Sequence, residues 1–145
     1  MAEPHDCPKA AAPSDSVDIP LPYADRPVAT VPGHWVLARA GKRVLRPGGA
    51  ALSAAMLARA RLAGADVVEM APGLGRTAAE IIAARPASYT AIDRDPQAAA
   101  RVAAVVGDRG TVRQGKAADT GLNDACADVV VGEAMLRLRK YDRLK

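Results

Sequence analysis

Aromatic residues are scarce in this sequence of 145 residues, which has no Phe, one Trp and three Tyr. A hydrophobic core must therefore be built mainly from Ala, Val, Leu and Ile. Few aromatic rings are available to stack nucleic-acid bases, and the basic residues are scattered through Ala-rich stretches. We therefore interpret the net charge of +4 as a solvated surface, and the sequence does not favour a nucleic-acid partner.

Cysteine and long apolar runs are also lacking. Cys7 and Cys126 are too few and too far apart for a disulfide framework or a zinc knuckle. His5 and His34 stand at no spacing typical of metal ligands, so we predict no metal site. No apolar run approaches the roughly 18 residues needed to span a bilayer, and the N-terminus lacks the pattern of a signal peptide. We expect a reduced, cytoplasmic protein with no membrane partner.

Proline and hydrophobic patterns divide the chain into two parts. Residues 1–33 hold most of the prolines and little hydrophobic periodicity, which predicts a flexible, proline-rich arm. Residues 34–145 are expected to form one domain with a helical N-terminal lead-in. The lead-in is predicted as two helices, at 35–45 and 51–63. Leu52, Met56 and Ala60 are expected to form the apolar face of the second helix, and Gly64 is expected to end it.

Short apolar runs alternate with helical patterns from residue 66 onward. The predicted strands are 66–70, 89–93, 111–114 and 128–132, and the predicted helices between them are 75–85 and 96–106. This alternation predicts an α/β fold, a Rossmann-like parallel sheet in a three-layer αβα arrangement, here with about four strands. The last strand is a continuous run of valines, which is typical of a strand buried on both faces.

The stretch 66–78 carries the strongest functional signal. An apolar run ends in the acid Glu69, and a turn holding Gly73 and Gly75 leads into the next helical pattern. Glycine lets the backbone turn tightly and approach a ligand where a Cβ would collide. Asp93 closes the second apolar run, where its carboxylate can accept both hydroxyl protons of a ribose. The arrangement predicts a nucleotide-binding βαβ unit.

Other interpretations of these residues remain open at this point. The run Gly73-x-Gly75-x-x-Ala78 also fits a dinucleotide fingerprint, which would indicate an NAD(P)-binding domain of the oxidoreductase type. Glu69 favours a cationic ligand instead, because its carboxylate would repel a pyrophosphate. Glu69 could alternatively cap or pair with a neighbouring helix, and Asp93 could cap the helix that follows it.

These residues resemble a class I S-adenosylmethionine-dependent methyltransferase, of the small-molecule kind found in quinone biosynthesis. The segment from Glu69 to Gly75 is similar to the first motif of that family, acid-x-Gly-x-Gly-x-Gly, with Ala71 in the place of the first glycine. We expect alanine to be tolerated at this position if the φ angle of residue 71 is negative. Asp93 matches the ribose-binding acid, and the segment 114–119 is similar to the one that borders adenine.

The resemblance implies S-adenosyl-L-methionine as the cofactor and a small molecule as the methyl acceptor. It assigns Glu69 and Glu133 to the methionine end and Ala117 to a backbone contact with adenine. Together the implied cofactor-binding residues are Glu69, Ala71, Gly73, Gly75, Asp93, Ala117 and Glu133. We identify no catalytic base.

The family has further strands beyond the fourth, whereas this sequence supplies the part ordered 3-2-1-4. We therefore expect a methyltransferase truncated after the fourth strand, with its cofactor-binding half retained. The basic tail at 137–145 is unlike the family's continuation. An unpaired fourth strand would favour homo-oligomers through its exposed edge. The alternative is a non-catalytic remnant or a partner-dependent binding protein.

Overall fold

A computed structural model describes residues 19–43 and 45–135. Four parallel strands form one sheet in the order β3-β2-β1-β4. The strands are β1 (Asp66–Met70), β2 (Ser88–Asp93), β3 (Thr111–Gln114) and β4 (Val129–Gly132). The helices are α1 (Gly33–Arg39), α2 (Gly49–Arg59), α3 (Arg76–Ala83) and α4 (Pro96–Val106). The predicted α/β class, the Rossmann-like parallel sheet and the strand order are confirmed.

Strand β1 lies between β2 and β4 and sets the register of the sheet. Glu69 is aligned with Ala91 of β2 on one side and with Val131 of β4 on the other. Because all strands run in the same direction, the carboxyl ends of β1, β2 and β4 meet at one edge of the sheet. In open parallel sheets this is the edge at which ligands bind.

Helices α3 and α4 pack on one face of the sheet. Ile81 of α3 and Val102 of α4 are fully buried against Val67 and Ala91, which lie on the same face of β1 and β2. Burying an aliphatic side chain of this size contributes about 1.5–3 kcal/mol. The core is mainly aliphatic, as the shortage of aromatic residues predicts, and Tyr89 is the aromatic side chain in this cluster.

The start of α4 is fixed by its own cap. A side-chain oxygen of Asp95 accepts the backbone N–H groups of Gln97 at 2.9 Å and Ala98 at 3.1 Å, and Pro96 occupies the first turn. Such a cap typically stabilises a helix by about 1 kcal/mol. It also fixes the loop that joins Asp93 to α4, and Asp93 is one of the predicted ligand-binding residues.

Both lead-in helices are shorter than predicted. Helix α1 ends at Arg39 rather than near residue 45, because the chain turns at Gly41, whose φ angle is 86°. Helix α2 begins at Gly49 and ends at Arg59. Gly64 therefore lies in the turn before β1, where its φ angle is 71°, and does not cap the helix directly.

The predicted apolar face of α2 is wrong in part. Leu52 is 58% exposed, whereas Ser53 and Leu57 are buried. Met56 and Ala60 are partly buried against the core, as expected. The helix is rotated relative to the prediction because its inner face carries a polar residue, Ser53, that hydrogen-bonds to a carboxylate beside the sheet.

The described part of the predicted arm, residues 19–33, contacts the rest of the fold. The backbone N–H of Tyr23 donates to the side-chain oxygen of Gln97 at 3.0 Å, and the Arg101 guanidinium donates to the Ile19 carbonyl at 3.0 Å. A 3-10 turn at Val28–Thr30 precedes Val31, which is buried. Residues 1–18 lie outside the described residues, and the domain boundary at residue 33 stays a prediction.

Strand β4 is an edge strand of the described sheet, as expected. The prediction that it is buried on both faces is wrong, because Val130 is 62% exposed while Val131 is buried. Alternate side chains of a strand point to opposite faces, and the described residues cover only the face of Val131. The basic tail at 137–145 lies outside the described residues.

Candidate functional site

The edge at which β1, β2 and β4 end brings several of the predicted residues together. The backbone N–H of Gly73, in the turn after β1, donates to a carboxylate oxygen of Asp93 at the end of β2, at 3.3 Å. Burial raises the pKa of Glu69, and the charges of Glu133, which follows β4, and of Asp93 raise it further. The carboxyl groups of Glu69, Asp93 and Glu133 therefore lie near one another at this edge of the sheet.

The two glycines of the turn have different surroundings. Gly73 has a φ angle of 60°, and a Cβ placed on it would meet nothing closer than the carbonyl oxygen of Ala71 at 3.9 Å. Gly75 has a φ angle of 80°, and a Cβ there would lie 3.2 Å from a methyl group of Val105 on α4. Gly75 is thus required for helix packing, whereas the side of Gly73 that lacks a side chain faces open space.

Ala71 departs from the sequence expectation. Its φ angle is +54°, in the left-handed region, whereas we expected alanine to be tolerated at this position only with a negative φ angle. An alanine in this region is strained by roughly 1–2 kcal/mol relative to its ordinary conformation. The conformation is held by the backbone N–H of Ala71, which donates to the Ile92 carbonyl at 2.8 Å. The first position of the motif thus keeps the backbone geometry of a glycine.

The Asp93 carboxylate joins the glycine turn to the loop before α4. One oxygen accepts the N–H of Gly73, and the other accepts the N–H of Asp95 at 3.0 Å. The side chain is buried, which raises the pKa of Asp93, while the two backbone hydrogen bonds act in the opposite direction. Asp93 does not cap α4, since Asp95 does so. The alternative structural role considered for Asp93 is therefore taken by its neighbour.

Glu69 is buried and is held by one strong hydrogen bond. The Tyr89 hydroxyl donates to its Oε2 at 2.6 Å, and the residue is 3% exposed. Burial raises the pKa of Glu69 to about 7. Burial and the neighbouring Glu69 also raise the pKa of Tyr89, so its hydroxyl remains a donor. Glu69 is thus a carboxyl group that titrates near neutral pH.

Glu133 lies at the centre of a polar cluster that sequence reasoning did not find. Its Oε1 accepts the Ser53 hydroxyl at 2.6 Å, and its Oε2 accepts the Thr77 hydroxyl at 2.8 Å. The Nε of Arg46 lies 3.1 Å from the same Oε2 and also contacts the Ser53 hydroxyl oxygen. Arg46, Ser53, Thr77 and Glu133 form what we call the Glu133 cluster.

A sequence signal for this cluster does exist. Ser53 and Thr77 are polar residues within Ala-rich helical patterns, and both are buried in the structure. A buried hydroxyl requires a hydrogen-bond partner, so each pointed to a polar group nearby. Arg46 belonged to a basic run at 39–46 and could not be distinguished from its exposed neighbours by sequence.

Ala117 lies apart from the other predicted residues. It is exposed in a short turn closed by a bridge between Lys116 and Asp119. Lys116 lines a groove of about 590 Å³ together with Tyr23 of the N-terminal segment and with residues 94–97, which directly follow Asp93 along the chain. The predicted adenine segment therefore borders a groove beside Asp93, and its role in binding stays a prediction.

No group of His, Cys, Asp and Glu suited to a metal ion occurs among residues 19–43 and 45–135. Cys126 is exposed, rather than the buried apolar residue that a lone cysteine commonly is. Among the described residues, the functional groups at this edge of the sheet are therefore carboxyl, hydroxyl and guanidinium groups.

A family model described as a methyltransferase domain matches residues 68–141. The match covers more than half of the chain and includes the glycine turn, Asp93 and Glu133. The chain belongs to this methyltransferase-domain family. The methyltransferase interpretation of the motif is therefore confirmed at the level of the family, in preference to the dinucleotide fingerprint.

One solved structure with a similar fold is an S-adenosylmethionine-dependent methyltransferase from Thiobacillus denitrificans in complex with S-adenosyl-L-homocysteine. The two chains are 21% identical and superpose with a TM-score of 0.56. The alignment covers 70% of this methyltransferase-domain protein and 43% of the other chain. No curated protein matches the sequence. The comparison confirms the fold, and this chain spans less than half the length of that methyltransferase.

Proposed function

We propose that this methyltransferase-domain protein binds S-adenosyl-L-methionine and transfers a methyl group to a small molecule. One observation carries the proposal: Gly73, on which a side chain would meet only open space, donates its backbone N–H to the buried carboxylate of Asp93. Within a methyltransferase-domain family, this pairing of a bare backbone turn and an acid suits a nucleoside. The solved protein of similar fold binds S-adenosyl-L-homocysteine.

The hydrogen-bonding capacity of Asp93 fits the ribose of the cofactor. Each carboxylate oxygen has two lone pairs, and the backbone N–H groups of Gly73 and Asp95 occupy one on each oxygen. One acceptor position therefore remains on each oxygen for two ribose hydroxyls. The two backbone bonds also fix the carboxylate before the ligand arrives, which reduces the entropy lost on binding.

The charges around the turn fit the methionine end of the cofactor. S-adenosylmethionine carries a sulfonium and an ammonium, and both cations are attracted to carboxylates such as Glu69 and Glu133. Glu69 has a pKa of about 7 because it is buried. A cation next to it would favour the ionised form and lower this pKa. Binding is therefore expected to release a proton near neutral pH.

When bound, S-adenosylmethionine would supply an electrophilic methyl group, whose carbon bonds in line to a lone pair of the acceptor while the carbon–sulfur bond breaks and S-adenosylhomocysteine leaves. The residues of this chain contribute binding and orientation. The Gly73 turn and Asp93 fix the nucleoside, and Glu69 and Glu133 hold the cationic end. Positioning of this kind removes a large part of the barrier without a base, and we assign no catalytic base.

We propose a reduced, cytoplasmic location for the protein, on the basis of its low cysteine content. Among the described residues, none of the helices combines the length and apolar character required to cross a bilayer. The expected methyl acceptor is accordingly a small molecule of this compartment.

We also propose that the protein self-associates through β4. Val130 is 62% exposed on this edge strand, and an edge strand presents unpaired backbone groups. Sedimentation of the full chain at micromolar concentration should show a dimer or larger species, and Val130→Lys should shift it toward the monomer. A monomer of the unmodified chain under these conditions would refute this assembly.

Calorimetric titration tests the proposed function. The purified chain is titrated with S-adenosylmethionine, with S-adenosylhomocysteine and, as the control, with NAD. We expect micromolar binding of the first two ligands and none of NAD. Binding of NAD alone would support the oxidoreductase alternative. A chain that is folded by circular dichroism and binds neither methionine nucleoside would contradict the proposal.

A further inference from the structure

The positive charge of the chain is concentrated in residues 26–65. This segment has seven Lys and Arg residues and no Asp or Glu, so the sixteen acidic residues all lie outside it with the other thirteen basic ones. The remainder of the chain therefore carries a net negative charge, although the whole protein has a charge of +4. We call residues 26–65 the acid-free segment. It includes helices α1 and α2.

Most of the cations of the acid-free segment are exposed. Arg46 is paired with Glu133, and the Arg39 guanidinium donates to a backbone carbonyl. The other five cations are exposed, and they are Arg26, Lys42, Arg43, Arg59 and Arg61. A positive surface with no acidic residue of its own segment to balance it attracts an anionic partner.

The same segment holds three of the four large apolar side chains that are exposed among the described residues, namely Val28, Leu37 and Leu52. Leu52 lies on α2, where the other exposed residues before Arg59 are alanines. The outer face of α2 is thus apolar, and a helix with such a face is ordinarily covered by another layer. Exposed aliphatic side chains next to exposed cations are typical of a surface that lies on an anionic bilayer.

Two other partners fit this surface less well. A symmetric contact between two copies places the same residues against each other, and the acid-free segment offers no acid to pair with Arg59 and Arg61. Nucleic acid would match the charge but not the exposed aliphatic side chains. The Phe, Tyr and Trp residues that stack on bases are represented in this segment by Trp35 alone, which is buried.

We propose that the acid-free segment binds the surface of a membrane that contains anionic phospholipids. Its cations lie at the lipid phosphates in this arrangement, and Leu52 enters the headgroup layer. The expectation of no membrane partner came from the lack of an apolar run, which concerns spanning a bilayer and not contact with its surface. The cytoplasmic leaflet is negatively charged, in agreement with the proposed location. This interaction does not depend on the proposed methyl transfer.

Cosedimentation of the full chain with lipid vesicles tests this surface. We expect binding to vesicles of mixed phosphatidylglycerol and phosphatidylcholine, weakened by added salt, and no binding to vesicles of phosphatidylcholine alone. This comparison uses the unmodified chain and so does not depend on the folding of a variant. Equal binding to both kinds of vesicle, or binding to neither, would overturn the proposal.

Variants locate the contact on α2. The double variant Arg59→Gln/Arg61→Gln should weaken binding to the mixed vesicles roughly fivefold for each charge removed. Leu52→Gln should weaken it about tenfold, because an aliphatic side chain no longer enters the headgroup layer. Arg109→Gln/Arg113→Gln is the matched control, since it removes two exposed charges at and just before β3, on the sheet edge opposite to β4. An equal loss in this control would refute the assigned surface.

Two further measurements separate the bilayer from the other partners. We expect a single-stranded RNA oligonucleotide to bind more weakly than the mixed vesicles at the same salt concentration, and the reverse order would assign the surface to nucleic acid. Leu52→Gln should sediment as the unmodified chain does without lipid. A shift toward smaller species would mean that a second copy covers this face of α2. Either contrary result would overturn the proposal.

Discussion

Replacing Glu69 by glutamine should stabilise the protein at alkaline pH and weaken its binding of S-adenosylhomocysteine. Glutamine has the shape of the protonated carboxyl group, and its oxygen can accept the Tyr89 hydroxyl as Oε2 of Glu69 does. It cannot become negatively charged, so it removes both the unfavourable burial of a charge and the attraction for a cationic ligand. The two effects have opposite consequences for stability and for binding.

The size of the stability effect follows from the pKa. Burial raises the pKa of Glu69 from 4.5 to about 7, and a tenfold change in proton affinity corresponds to about 1.4 kcal/mol. The folded state therefore binds the proton more tightly than the unfolded state does. The contribution of Glu69 to the free energy of unfolding is fully present below pH 4.5 and is lost as the pH rises to about 7. The loss at pH 8 is about 3 kcal/mol.

Urea unfolding of Glu69→Gln and of the unmodified chain at pH 5 and pH 8 measures this effect. The variant should be more stable by up to about 3 kcal/mol at pH 8 and by less than about 1 kcal/mol at pH 5. Glu80→Gln is the control, because Glu80 is a partly exposed residue of α3 and forms a loose ion pair with Arg76 at 3.8 Å. A gain that is the same at both pH values, or a loss at pH 8, would refute the reasoning.

Three further substitutions test the site. Ala71→Gly should raise the free energy of unfolding by up to about 1 kcal/mol in thermal denaturation, because it relieves a positive φ angle of 54°. A loss of stability as large as that caused by Ala79→Gly in α3 would contradict this. Gly75→Ala should lower the free energy of unfolding by more than about 1 kcal/mol, because the φ angle of 80° is unfavourable for alanine and the new Cβ would press on Val105. Unchanged stability would be inconsistent with this packing. Asp93→Asn should weaken the binding of S-adenosylhomocysteine by about 1–3 kcal/mol in calorimetry, and unchanged affinity would remove Asp93 from the site.

The sheet could be predicted from the sequence because its signals are local. Short apolar runs such as Val67-Val68 mark the strands, and their alternation with helical patterns leads to parallel pairing. The glycine turn and Asp93 were found for the same reason, since the turn directly follows β1 and Asp93 is the last residue of β2. Their residue types are those that a nucleoside site requires.

The remainder of the site depends on contacts between distant parts of the chain. Ser53 and Glu133 are 80 residues apart in sequence, and their hydrogen bond determines which face of α2 is buried. No periodicity within α2 predicts this contact, so Leu52 was expected inside and is exposed. The burial of Glu69 against Tyr89, which raises its pKa, also arises only when β1 and β2 are paired.

The most direct test of the account is to map the binding of S-adenosylhomocysteine on the backbone amides by NMR. We predict that the largest shift changes fall in the segments 71–75 and 93–97 and around residue 133, which lie where β1, β2 and β4 end. Shift changes confined to other surfaces, or no changes at saturating ligand, would contradict the claim that this edge of the sheet is the cofactor site.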